Sequence, residues 1–119
     1  MYRDKTIAVV VPAYNEEKLI GKTLQWIPAF VDHIVVVDDA SKDRTGDVVR
    51  NHQNGDPRIV YLPHERNEGV GGAIVTGYKW AREKNVDVTA VMAGDAQMDP
   101  SDLPKLIDPV VEGTADYSK

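Results

Sequence analysis

The segment Val91 to Pro100, VMAGDAQMDP, closes an apolar run with Ala-Gly and then sets out Asp95, Gln97 and Asp99. A carboxylate and an amide two residues apart, where a buried strand meets solvent, suit a hard divalent cation. Mg²⁺ and Mn²⁺ take oxygen ligands and commonly bridge one or two protein groups to phosphate oxygens. Asp95, supported by Gln97, fits that pattern, and Gly94 would let the backbone approach a diphosphate. Asp99, directly before Pro100, reads as a helix-entry residue. The competing reading of the whole segment is a polar turn without a ligand.

A second chemical pair is Asp38-Asp39, directly after Val35-Val36-Val37. Adjacent carboxylates repel unless a donor or ligand is close. One of them could accept a ring N–H of uracil or guanine and so read a base. A loop that caps the next helix is the alternative. Paired acids also mark receiver domains, but there they follow the first strand, and here the first strand runs into Pro12.

Glycines 69, 71, 72 and 77 in EGVGGAIVTG lack the G-x-G-x-x-G spacing and follow the third strand rather than the first. This counts against a nicotinamide site. Two readings stay open: a tight turn into a helix that packs closely through Gly77, or backbone amides near a phosphate or sugar. His33, His52 and His64 have no partner at helical spacing and read as surface or loop residues rather than zinc ligands. No Ser-His-Asp pattern or nucleophile elbow is present.

The elements that must position these residues follow from apolar periodicity. Thr6–Val11, His33–Val37, Arg58–Leu62 and Val88–Met92 are short β-branched runs without polar alternation, the mark of strands buried on both faces. Between them, Ile20, Leu24 and Ile27 share one helical face, residues 41–53 offer Ser, Asp and Thr as caps, and Val70, Ile74, Gly77 and Ala81 share another face. Ser101 can cap a last helix with Leu103, Leu106, Ile107 and Val110 inward. The order β-α-β-α-β-α-β-α predicts an α/β fold, a doubly wound parallel sheet with right-handed crossovers and strand order 3-2-1-4. Ligands of such sheets bind beyond the carboxyl ends of the strands. All four segments that follow the strands, PAYNEE, DDASKDRT, PHERNEGVGG and AGDAQMDP, are polar or glycine-rich and gather at that edge.

With 119 residues the chain fits one domain, and 42% hydrophobic against 28% charged residues is ordinary for a globular protein. A formal charge of −5 argues against a nucleic-acid or anionic-membrane binder, and leaves an anionic ligand dependent on a cation or backbone amides. The absence of cysteine excludes disulfides and thiolate metal sites and fits a cytoplasmic setting. The apolar run before Pro12 is too short for a signal or spanning segment.

The segments VVVPAYNEE, VVVDDASKDRT, RNEGVGGAIVTG and MAGDAQMDP, covering Thr6 to about Pro100, resemble the family 2 glycosyltransferases in order and separation. The resemblance is strongest to the branch containing dolichyl-phosphate mannose synthase and its bacterial and archaeal relatives. It implies a Rossmann-like GT-A fold and a hexose transferred from a UDP- or GDP-sugar to an acceptor such as a polyprenyl phosphate. Carried over by motif, Pro12, Tyr14 and Glu16 would contact the nucleoside, Val37 and Asp39 the base, and Asn67 the neighbourhood of the donor. Ala93, Gly94, Asp95 and Gln97 would occupy the diphosphate position, with Asp95 the catalytic residue and Asp95 and Gln97 holding Mg²⁺ or Mn²⁺. Ala93 stands where the family's D-x-D motif has its first aspartate, so metal binding rests on one carboxylate. Family members run on by roughly another hundred residues, a domain-scale length. On this reading, residues 1–119 are the nucleotide-sugar-binding half, inactive alone, truncated after about four β-α units and open to self-association through the exposed fourth strand. The full-length protein would be cytoplasmic, peripheral to the inner face of the membrane. A nucleotide-sugar-binding module without turnover is the alternative. A sugar-1-phosphate nucleotidyltransferase would need a basic glycine-rich loop after the first strand, and PAYNEE has no basic residue.

Overall fold

A computed structural model describes residues 4–92. Four parallel strands, β1 (Ile7–Ala13), β2 (His33–Asp38), β3 (Ile59–Pro63) and β4 (Val88–Val91), alternate with three helices, α1 (Ile20–Trp26), α2 (Thr45–Gly55) and α3 (Gly69–Glu83). The strand order is β3-β2-β1-β4, as the alternation of elements predicts. Val10 aligns with Val35 and with Val91, and Val35 in turn with Val60. The expected helix after Ser101 lies outside the described residues.

β1 is central and buried along its whole length. Its side chains alternate between two apolar layers. Ile7, Val9 and Val11 face Ile20, Leu24 and Val49 of α1 and α2, whereas Val10 meets Val35, Val37 and Ala73 on the α3 side. Helices thus cover both faces, which is why none of these strands alternates with polar residues.

Two expectations about elements require correction. β1 does not stop at Pro12 but runs through it to Ala13, which pairs with Asp38. Val10 faces β4, since its carbonyl accepts the Met92 N–H at 2.9 Å. Pro12, two residues on, faces the same way, just past the last β1–β4 register pair, Val10↔Val91. A missing N–H costs little where no ladder bond is due. The inward stripe of α3 is Ala73, Gly77 and Ala81, and Val70 is 66% exposed. The helix begins at the carboxyl edge of the sheet, so its first turn projects past the strand ends. At Gly77 a Cβ would lie 2.7 Å from Val10 Cγ2 and closer still to Cγ1. Small residues in this stripe let the helix sit directly on β1.

Candidate nucleotide site at the carboxyl edge

Parallel strands bring Ala13, Asp38 and Pro63 to one edge, and the three loops that follow are bonded to one another. Asn15 and Ala40 take positive φ of 53° and 63°. Asn15 donates its N–H to Ser41 Oγ at 2.9 Å and accepts the Lys42 N–H at 2.9 Å. The Glu16 N–H goes to Thr45 Oγ1 at 2.8 Å, and Asp43 accepts the Thr45 N–H and hydroxyl. The loop after β1 is thereby tied to the entry of α2.

The paired acids divide their work between two loops. Asp38 Oδ1 accepts the Ser41 N–H at 3.0 Å and Oδ2 accepts the Tyr61 hydroxyl at 2.6 Å. Burial, then the Asp38 hydrogen bond, pushes the Tyr61 phenol up to about 12. Gly46 makes room for this pair, because a Cβ there would stand 2.5 Å from the Tyr61 oxygen. Asp39 faces the other way. Its Oδ1 accepts from His64 Nδ1 at 2.9 Å and from the Glu68 amide at 2.7 Å, and its Oδ2 accepts the Gly69 amide at 2.8 Å. Burial raises the Asp39 carboxyl, but bonds from Glu68, His64 and Gly69 outweigh it and hold the group below its ordinary value. These donors are what two adjacent carboxylates require.

His64 was missed by sequence reasoning. It is a loop residue as expected, but not a free surface one: its side chain is 8% exposed, close to the 5% of Asp39. Its Nε2 lies 2.8 Å from Thr76 Oγ1, and that hydroxyl donates to the Gly72 carbonyl at 3.1 Å. The available signal was positional. His64 directly follows the strand that ends beside a buried acid, and a buried acid needs donors. His33 stacks edge-on to Trp80 and His52 bonds the Val48 carbonyl, so neither is a free surface group.

Of the other candidate residues, Tyr14 is 43% exposed at the head of its loop, and Pro12 and Val37 are buried in the sheet. Asn67 is exposed, with its amide 3.4 Å from the Asp39 carbonyl. Tyr14, Glu16, Asp39 and Asn67 therefore share one edge. Ala93, Gly94, Asp95 and Gln97 lie outside the described residues, and with them the expected diphosphate and metal position. Among the described residues no cluster of His, Asp or Glu could hold a metal ion. The Glu68 and Gly69 amides already serve Asp39, which favours the turn reading of that segment over a phosphate cradle built on those two amides. A shallow depression of about 380 Å³, lined by Pro63, His64, Glu65, Arg66 and Glu68, lies beside the loop. A depression of about 400 Å³ near Asn51, His52 and Arg58 holds none of the candidate residues.

The profile of Glycosyl transferase family 2 matches residues 8–118. The chain belongs to that family. It is 35% identical to a UDP-N-acetylglucosamine–dolichyl-phosphate N-acetylglucosaminyltransferase of Methanococcus voltae, over 96% of this chain and 51% of that protein. It is 34% identical to an undecaprenyl-phosphate mannosyltransferase of Micrococcus luteus, over 87% and 44%. The chain thus spans about half the length of these curated relatives. Among solved structures, a mannosyltransferase of Pyrobaculum calidifontis in complex with GDP-Man and Mn²⁺ superposes with a TM-score of 0.75 at 25% identity, covering 98% of this chain and 34% of that one. A glucosyl-3-phosphoglycerate synthase of Mycobacterium tuberculosis in complex with Mn²⁺ and UDP-Glc gives 0.69 at 26%, covering 92% and 40%. The doubly wound sheet of this family 2 chain is that of the GT-A glycosyltransferases.

Proposed function

We propose that this family 2 chain is the donor-nucleotide half of a hexosyltransferase that uses a UDP- or GDP-sugar and delivers the hexose to a polyprenyl phosphate. The observation that carries the reading is Asp39, a buried carboxylate held at the carboxyl edge between the loops that bear Tyr14 and Asn67. A carboxylate offers about four acceptor positions, and the described residues fill three. The position left on Oδ2 can take a ring N–H. Tyr14 and Glu16 would face the nucleoside, with Pro12 and Val37 shaping the floor beneath it.

The diphosphate falls to Ala93, Gly94, Asp95 and Gln97, with Asp95 and Gln97 holding Mn²⁺ or Mg²⁺. Bound there, the metal supplies Lewis-acid stabilisation of the departing nucleoside diphosphate. Neighbours solved with Mn²⁺ support this, as does a net charge of −5 with no basic cluster to offset a diphosphate. A peripheral membrane location in the whole protein follows from a polyprenyl-phosphate acceptor. Among the described residues no helix is long and apolar enough to cross a membrane.

Because the chain spans about half of its relatives, a second reading is binding without turnover: the purified chain holds the donor and transfers no sugar. Calorimetry with UDP, GDP and their sugars, with Mn²⁺ and then with EDTA, tests the reading. Asp39→Ala should weaken binding by about 1–3 kcal/mol, and chelation should weaken it in the unaltered chain. Affinity indifferent to Asp39 removes it as base reader, and affinity that survives EDTA removes Asp95 from a metal role. Sugar transfer by the chain alone would sink the second reading.

A further inference from the structure

We propose that His64, together with the Glu68 amide, makes this site selective for a base that presents one hydrogen-bond donor rather than two adjacent ones, so that uridine nucleotides bind in preference to guanosine nucleotides. The proposal rests on the reading of Asp39 as base reader and goes beyond it to the identity of the base.

The argument is one of acceptor capacity. Asp39 Oδ1 takes two hydrogen bonds, from His64 Nδ1 at 2.9 Å and Glu68 N at 2.7 Å, and an sp² oxygen has two lone pairs. Oδ2 takes one, from Gly69 N at 2.8 Å. Among the described residues nothing fills the fourth acceptor position. Uracil presents one donor on its pairing edge, N3–H. Guanine presents two side by side, N1–H and the 2-amino group, which fit a carboxylate with both oxygens free. Here the second guanine donor would lose water without gaining a partner, and a donor stranded in that way is costly.

His64 keeps Oδ1 filled in either charge state. If the ring is neutral, Nδ1 carries the proton toward Asp39 and Thr76 donates to Nε2. If it is protonated, Nε2 donates to Thr76, whose hydroxyl turns to the Gly72 carbonyl, 3.1 Å away. Nδ1–H faces Asp39 in both cases. Glu68 also lies near the ring, with Oε2 3.5 Å from Nδ1 and its side chain 56% exposed. Selectivity therefore does not depend on which charge state the ring holds. It also runs against size, because a purine would stack more area on an exposed aromatic such as Tyr14.

Calorimetric titration of the chain with UDP and with GDP, both with Mn²⁺, reads the base alone, since the diphosphate is common to both. UDP should bind at least about tenfold tighter, corresponding to about 1.4 kcal/mol. His64→Ala, which frees a lone pair on Oδ1, should shrink the ratio by improving GDP relative to UDP. His64→Asn, whose amide can stand in for Nδ1–H, should restore it, and loss of packing alone would weaken both nucleotides equally. Equal affinities, or tighter GDP, in the unaltered chain overturn the inference even if His64→Ala fails to fold. An unchanged ratio in folded His64→Ala overturns the role of His64. Asp39→Asn separates the two levels: if it weakens neither nucleotide, the base-reader assignment itself fails. Absence of binding by either nucleotide overturns both.

Discussion

At the scale of single residues, the edge of the sheet is held by acids that are kept ionised. Asp39 is lowered by its three donors against the cost of burial. Asp43 is lowered in the same way, with burial opposed by the Thr45 hydroxyl and the Thr45 and Glu17 amides. Asp56, at the opposite edge of the sheet ahead of β3, is lowered chiefly by the Arg58 side chain beside it, with a 2.8 Å ion pair. A carboxyl whose folded pKa lies below its unfolded value, 3.8 here, contributes stability that is complete above the unfolded value. That stability is lost as pH falls through the folded value. The chain should therefore keep its denaturant midpoint from neutrality down to about pH 5 and lose it progressively below about pH 4. Urea titrations at several pH values check this, and Asp39→Asn should flatten part of the acid limb. A midpoint that stays constant as pH falls below about 4 would contradict the ionised clamp. Tyr61→Phe takes the phenolic donor from Asp38 Oδ2 and should cost about 1–3 kcal/mol, because a buried charged acceptor is then left short of a partner.

At the scale of elements, the seam between α3 and β1 sets how the loop at residues 64–69 meets β2. Ala73, Gly77 and Ala81 have little or no side chain, so α3 lies close to Val10. Gly77→Ala would place a methyl inside the van der Waals envelope of Val10, and overpacking of this kind typically costs 1–3 kcal/mol. A gain of at most about 1 kcal/mol in helix propensity does not offset it. Thermal unfolding of Gly77→Ala should show a lower midpoint, and a companion Val10→Ala substitution should restore part of the loss by opening the space. If Gly77→Ala is neutral, the helix is not seated as closely as described. The entry to α3 is set separately by Gly69, whose φ of +82° is one that residues with a Cβ rarely adopt. That turn delivers the Glu68 and Gly69 amides to Asp39.

At the scale of the whole molecule, β4 pairs with β1 on one side, and among the described residues nothing pairs with its other side. An apolar strand with open backbone groups is a template for another chain. We propose that the purified 119-residue chain associates through this edge, with weight-average mass rising with concentration in sedimentation. Val91→Lys, which puts a charge on the edge strand, should shift the equilibrium toward monomer. A strict monomer at high concentration would rule out association and point to cover of the edge by residues beyond Met92.

The sequence by itself determined what depends on local pattern. Unbroken β-branched runs marked Thr6–Val11, His33–Val37, Arg58–Leu62 and Val88–Met92 as strands buried on both faces. Their alternation with helices specified parallel pairing, and parallel pairing puts Tyr14, Asp39 and Asn67 at one edge. Pattern could not decide where strand one ends, because the cost of Pro12 depends on whether β4 requires its N–H. Nor could it choose between Val70 and Ala73 as the inward residue of α3, because both fit a helical period and only the position of the sheet edge separates them. Least legible was the environment of Asp39. His64, Glu68 and Gly69 lie 25, 29 and 30 residues away along the chain. Hydrogen-bond saturation is a property of neighbours in space. A carboxylate can be placed at a site by its motif, but how many of its lone pairs remain for a ligand is decided only when the fold brings its donors to it.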